Sequence, residues 1–260
     1  MPLQSTKYLN FLNFKMANHC SNYLSLQGLT ADQWKQFVDA CVAGEKEVGG
    51  FLTTLYPEPD YTVTPVAKLY PEIDAYYAKT DEEKQKILKN EPTIREDSWW
   101  DWRNMNWGTK WIDYQCHQQE FPTEPSTYFD IPFVSAWSPL NKNCMEVLSK
   151  KFPGVLLTIT YDESGCDFCG VTVAKDGVVL DYCTDISKLK ETWAQENHPG
   201  LWEEAENPED EDATDELEDL WCDEMCEVIS DHLDSIEDDL TRQVMEQTSA
   251  PTMTDLVGQK

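Results

Sequence analysis

Five of the chain's ten tryptophans (Trp99, Trp100, Trp102, Trp107 and Trp111) fall within the fourteen residues from Ser98 to Trp111. One such side chain can bury about 150–250 Å², so the run reads as a packing nucleus over which neighbouring elements close. Arg103 and Lys110 interleave with the indoles, an arrangement that could also stack on nucleobases, but stacking sites work inside basic grooves. This chain is not basic: 49 Asp and Glu stand against 20 Lys and Arg, a formal charge of −29. Core packing is therefore the expected role.

The charge is unevenly placed. Between Glu191 and Thr241 there are 21 acids and no Lys or Arg, whereas residues 1–190 carry 26 acids and 18 bases. Affinity for phosphates comes from Lys and Arg, so the balance argues against direct binding to nucleic acid or to an anionic membrane. The expected partner is a basic surface, or a protein that itself binds nucleic acid. A hydrophobic content of 40% in 260 residues is enough for a core. No run approaches a membrane span. Residues 1–15 hold an apolar patch at Leu9–Phe14, broken by Asn10 and Asn13 and too short for a secretory signal. The nine cysteines are then expected to be reduced, in a cytoplasm. Strand pattern begins just after Met16, which makes Met16 the expected start and residues 1–15 an extension.

Periodicity outlines the body. His19–Gln27 alternates like a strand and stops at Gly28; Thr30 caps a helix through Ala43 with Trp34, Phe37, Val38 and Cys41 at helical spacing. Phe51–Leu55 reads as extended, Thr80 with Glu83 as a capping box opening a helix to Lys89, and Ser98 with Asp101 as the start of another that Gly108 breaks. Extended stretches at Lys110–His117 and Thr127–Trp137 precede a helix at Asn143–Phe152 and a strand at Val155–Tyr161. With residues 45–109 set aside as an insertion, the order is β-α-β-β-α-β, the ferredoxin-like split βαβ pattern of an α+β fold. Phe168–Ala174 and Val178–Tyr182 flank Asp176-Gly177, a hairpin that extends the sheet. Residues 16–190 form the expected domain. Residues 191–260 read as an acidic linker and an amphipathic helix, with Leu217, Trp221, Met225, Val228, Ile229, Leu233, Ile236, Leu240 and Val244 on one stripe.

Trp102, with Asn106-Trp107-Gly108-Thr109-Lys110-Trp111 after it, resembles the signature of the YubB-like (Api-like) family of plasmid and phage proteins. Ala136-Trp137-Ser138-Pro139, the run Tyr161-x-Glu163-x-Gly165-x-x-Phe168-x-Gly170 and the opening from Met16 are similar to that family's other motifs. The resemblance covers residues 16–185. It implies a ferredoxin-like domain and a mobile-element protein acting in a bacterial host cell, and no particular activity. The acidic C-terminal third falls outside it.

Chemistry is sparse. Cys166-x-x-Cys169 lacks a second pair at zinc spacing, with Cys222 and Cys226 far along the chain. His19-Cys20 and Cys116-His117 could meet only across paired strands, where adjacent residues point to opposite faces. Asp162, Glu163 and Asp167 read as acids of a solvated turn. No catalytic, cofactor or metal site is expected, and the protein is read as non-enzymatic.

The acidic segment carries the functional reading. Asp210, Glu211, Asp212, Asp215, Glu216, Asp219, Asp223, Glu224, Glu227, Asp231, Asp234 and Asp238 are the candidate contacts. A helix from Asp215 to Asp239 spans about 37 Å and displays carboxylates at close to the phosphate spacing of one DNA strand, about 3.4 Å. Antirestriction DNA mimics of the Ocr and ArdA type are similar in charge. The expectation is a phage or plasmid inhibitor that occupies a basic nucleic-acid-binding surface of a host defence protein. Two alternatives remain: recognition or dimerisation through the apolar stripe, with Leu217, Trp221, Ile236 and Leu240 as anchors, and a thiol or carboxylate enzyme using Cys20 or Cys116.

Overall fold

The computed structural model describes residues 19–59, 80, 99–113, 121–205 and 211–249. Strand β1 (His19–Gln27) turns through Gly28 into helix α1 (Ala31–Ala43). The helix starts as the sequence predicts. Thr30 Oγ1 accepts from Gln33 N at 3.3 Å, and Gln33 Oε1 accepts from Thr30 N at 3.0 Å, a reciprocal cap. The next element corrects the sequence reading: Leu52–Leu55 is a short helix, α2, not an extended stretch. Phe51, Leu52 and Leu55 are all buried, and one helical turn puts such a spacing on one face where a strand would split it.

Helix α3 (Trp99–Asn106) precedes β2 (Ile112–Asp113) and β3 (Tyr128–Ala136); α4 (Lys142–Lys151) leads to β4 (Leu156–Glu163), β5 (Phe168–Lys175) and β6 (Val178–Thr184). Asp176 and Gly177 both have positive φ, +50° and +87°, which a two-residue turn matched to the strand twist requires. Three helices close the chain: α5 (Ile186–Asn197), α6 (Pro199–Ala205) and α7 (Glu211–Ser249). The helix foreseen from Thr80, the cap at Ser98 and the outer part of Lys110–His117 lie outside the described residues, as do residues 1–18.

All six strands are antiparallel, in the order β2-β3-β1-β4-β5-β6. The first four in that order make the ferredoxin-like sheet, and the β5–β6 hairpin lengthens it, as the Asp-Gly turn implied. One face packs under α1 and α4 with Leu24, Leu26, Phe37, Phe133, Met145, Leu157 and Ile159 in a common core. The other face meets α7, but only at one end. Every residue of β5 from Cys169 to Ala174 is buried, whereas β1 and β3 alternate buried with half-exposed along most of their length. Among the described residues, hydrophobic cover on both faces is concentrated at the β5 end of the sheet.

The tryptophan run is not the broad nucleus that its composition suggests. Only Trp107 is fully buried; Trp99 and Trp100 are 37% and 41% exposed, and Trp102 and Trp111 are half-buried. Trp107 acts as a single pin. Its Nε1 donates to Tyr56 O at 2.8 Å, its carbonyl accepts from Asn141 N at 2.9 Å, and the Arg103 guanidinium lies 5.2 Å from its ring centroid. Arg103 is itself held by Glu58, Nε to Oε2 at 3.0 Å. Asn141 then joins two helices: its Oδ1 accepts from Cys144 N at the start of α4, while its Nδ2 donates to Met105 O at the end of α3, both at 2.9 Å.

That junction needs Gly108. Its φ is +89°, and a Cβ there would lie 2.5 Å from Asn141 N. Gly154 also has positive φ, +81°, but faces open space. Gly108→Ala should therefore cost roughly 2–3 kcal/mol through backbone strain plus collision, and Gly154→Ala only about 1 kcal/mol. Thermal melts of the two variants check this, and equal losses would mean that the close approach contributes nothing.

Candidate interaction surface

Helix α7 runs for 39 residues, about 58 Å at about 1.5 Å per residue. Its apolar stripe is docked on the protein's own body. Leu217, Trp221, Ile229, Leu233 and Val244 are each no more than 7% exposed. Leu217, Trp221, Ile229 and Leu233 share a core with Cys169, Ile186 and Trp193, and Val244 shares one with Val171 and Val173 of β5. Ile236 and Leu240 pack against the same strands. Polar contacts fix the register: Trp193 Nε1 donates to Glu224 Oε2 at 3.0 Å, and the Tyr182 hydroxyl meets His232 Nε2 at 3.0 Å. Burial pushes the His232 imidazole below its ordinary pKa.

The rest of the helix surface is mostly carboxylate. Asp212, Asp215, Glu216, Asp219, Asp223, Glu224, Glu227, Asp231, Asp234 and Asp238 are all exposed; Asp210 and the side chain of Glu211 lie outside the described residues. Asp215, Asp219, Asp223, Glu227 and Asp231 recur every four residues, about 6 Å apart along the axis. Arg242 is the one basic residue in α7 and is paired with Asp239; Lys190 of α5 pairs with Glu218. Exposed pairs of this kind contribute at most about 1 kcal/mol and leave the field strongly negative. Like charges four residues apart each cost a helix about 0.2–0.5 kcal/mol, against about 1.5–3 kcal/mol for each apolar side chain buried beneath. Docking wins, and it holds the carboxylates in a fixed array.

The other residues singled out by sequence do not converge. Cys166 is exposed in the β4–β5 turn, while Cys169 is buried under α7, its thiol pushed up to about 12 by burial and by Asp162. Among the described residues no group of three His, Cys, Asp or Glu is placed to hold a metal ion. Cys20 is fully buried, and burial, then Asp162, raises its thiol far above the ordinary range. His19 points to the other sheet face, edge-on to Trp111 at 5.1 Å. Cys116 and His117 lie outside the described residues. Asp162 and Glu163 are neighbours on a strand and so diverge, and Asp167 is a cap, accepting from Ser187 N at 2.8 Å at the start of α5.

One arrangement had no signal in the sequence. Asn22 Nδ2 donates to Ser135 Oγ (2.8 Å), Ser135 Oγ to Ser138 O (2.7 Å), Ser138 Oγ to Gly108 O (2.6 Å) and Thr109 Oγ1 to Ala136 O (3.0 Å). These polar residues tie together β1, the end of β3 and the segment Asn106–Trp111, so that three of the stretches behind the family resemblance meet here. Lys110 Nζ lies 5.3 Å from the Trp137 ring centroid.

Residues 109–217 match the family model described as the ferredoxin-like domain in Api92-like protein. Over those residues the chain is similar to the Api92-like ferredoxin-like domain. The match runs past residue 185, through α5 and α6 into the first turns of α7, and stops before Asp219. The crystal structure of Api92 from Yersinia pseudotuberculosis is similar over 65% of this chain and 98% of that one, at 12% identity and a TM-score of 0.35. No curated protein matches. Among the described residues, no helix is long and apolar enough to cross a membrane.

Asp162 gives the surface a testable pH signature. It lies opposite Cys169 on the sheet face that α7 covers. Burial, then Glu163, raises its carboxyl from 3.8 to about 6. A carboxyl raised in the folded state holds its proton longer there than in the unfolded chain, so its ionisation removes stability as pH rises from about 4 to about 6. Asp162→Asn should match the parent below about pH 4 and exceed it above about pH 6 by on the order of 2 kcal/mol. Denaturant unfolding across that range reads the difference, and a parallel offset at every pH would contradict it.

Proposed function

We propose that this protein is a non-enzymatic inhibitor, encoded by a phage or plasmid and acting in the bacterial cytoplasm, that occupies the basic nucleic-acid-binding surface of a host protein as an acidic mimic of DNA. A defence nuclease or restriction complex fits this chemistry. The observation that carries the reading is the two-sidedness of α7: its apolar stripe is covered by the body, and its solvent face is a rigid ladder of carboxylates with one arginine. Rigidity matters because an ordered array loses less entropy on binding than a floppy acidic tail. The ferredoxin-like body supplies the scaffold and positions the ladder.

The same docking weighs against the alternative in which the stripe recognises a partner or a second copy. Leu217 and Trp221, the anchors of that reading, are 4% and 5% exposed. A partner would have to strip α7 from the sheet to reach them. The enzyme reading receives little support from Cys20, whose thiol has neither solvent access nor a stabilised thiolate.

The test is retention of proteins from a bacterial lysate on the immobilised full chain at low and high salt, with duplex DNA as competitor. Nucleic-acid-binding proteins should be retained at low salt, released by added salt because exposed charges are screened within about 10 Å, and displaced by DNA. Reversing Asp219, Asp223, Glu227 and Asp234 to Lys should abolish retention while the melting profile of the body persists. Retention that survives this change would sink the proposal.

A further inference from the structure

We propose that Trp137 and Lys110 form a binding site for a single nucleotide, the indole stacking on the base and the ammonium meeting the phosphate. Trp137 has a φ of +63°, a conformation costly for a bulky residue and one that only glycine adopts freely. Ser138 N donates to Ala136 O at 2.8 Å across it, closing a three-residue turn of the rare, strained kind. Local preference does not make this turn; the surrounding hydrogen bonds do. Thr109 Oγ1 donates to Ala136 O at 3.0 Å, Ser135 Oγ to Ser138 O at 2.7 Å and Ser138 Oγ to Gly108 O at 2.6 Å. Ala136 N donates to Trp111 O at 3.2 Å. Ser135 and Thr109 are buried, so the clamp is built into the fold. Strain that its surroundings over-determine gathers at ligand clamps and active sites.

What the clamp holds in place is an exposed ring. Trp137 is 43% exposed, against 0% for Trp107 in the core, and no hydrophobic cluster of the described residues includes it. The Lys110 ammonium lies beside that ring, 5.3 Å from its centroid. An indole offers a flat apolar surface on which any base can stack, and a lysine ammonium is a compact charge that takes a phosphate. Together they fit a ligand that carries a flat ring and an anionic group. A neutral sugar would use the indole and leave the ammonium idle, and inorganic phosphate would use the ammonium alone. The acidity of the chain does not exclude a small anion here. Helix α7 packs on β5 and β6, and β5 stands three strand spacings from β3, about 14 Å at about 4.8 Å each. Exposed charges are screened beyond about 8 Å at physiological salt. A polymer would carry further phosphates into that field, so a single nucleotide is selected over a nucleic acid strand. One stacking site of this kind does not need the basic groove that a strand requires.

The probes are adenosine monophosphate, adenosine, inorganic phosphate and an oligodeoxyadenosine strand, each titrated into the full chain at physiological salt. The Trp137 indole N–H and the Lys110 amide are followed by NMR. Adenosine monophosphate should shift both signals and saturate with a dissociation constant on the order of a millimolar, as two contacts allow. Adenosine should bind about three- to fivefold more weakly, the contribution of one exposed ion pair, and inorganic phosphate should leave the indole signal in place. Trp137→Leu keeps an apolar side chain on the same backbone and should abolish saturation, whereas Trp137→Tyr, which keeps a ring, should bind within a few-fold of the parent. Lys110→Met keeps the stem without the charge, and should lower the affinity for the monophosphate to that of adenosine while the melting temperature holds. Should the Leu variant fail to fold, the Tyr and Met variants carry the test. Absence of saturation with adenosine monophosphate, parental affinity in the Leu variant or parental affinity in the Met variant would each overturn the inference. Tighter binding of the strand than of the monophosphate would also overturn it, in favour of a polymer.

Discussion

The docking of α7 on the β5–β6 end of the sheet is the contact on which the rest depends. A helix with carboxylates at four-residue intervals and a single arginine opposes its own formation, and its stability has to come from tertiary burial. Leu217, Trp221, Ile229, Leu233 and Val244 provide that burial. The result is an element whose inner face is committed to the fold and whose outer face is largely exposed carboxylate. The cost shows underneath, where Asp162 sits in a site that resists its charge.

A second constraint lies at the other end of the molecule. Trp107, Gly108 and Asn141 form a joint at which the end of α3, the approach to β2 and the start of α4 share hydrogen bonds. The buried Asn22, Ser135 and Thr109 extend this joint to β1 and β3. Buried polar groups are costly unless paired, and here each one holds a backbone carbonyl or a neighbouring side chain. Three of the four stretches that resemble the Api-like family meet at this joint, and the fourth, Tyr161 to Gly170, lies on β4 and β5.

Legibility in the sequence followed the strength of local signals. β1, α1 and the β5–β6 hairpin could be read directly, because alternation, a Thr30–Gln33 cap and an Asp-Gly turn are local devices. Phe51–Leu55 was misread as extended because five residues are too few for periodicity to separate a turn of helix from a strand. The boundary drawn at residue 190 cuts through α5 and leaves α6 in the linker, although Ile186, Leu189 and Trp193 recur at helical spacing; their many charged neighbours mask the stripe. For the candidate surface, the acids themselves were evident from composition. That they face outward was not, since the stripe opposite them could have stayed exposed for a partner.

By itself, the sequence determined the ferredoxin-like order of elements, the amphipathic character of α7 and the sign of its field, since periodicity and charge are properties of neighbouring residues. Tertiary structure alone decided that the stripe is satisfied within the chain and that one tryptophan of five is a fully buried pin. Those outcomes depend on which distant surfaces meet, and burial is settled by long-range packing that no local pattern encodes.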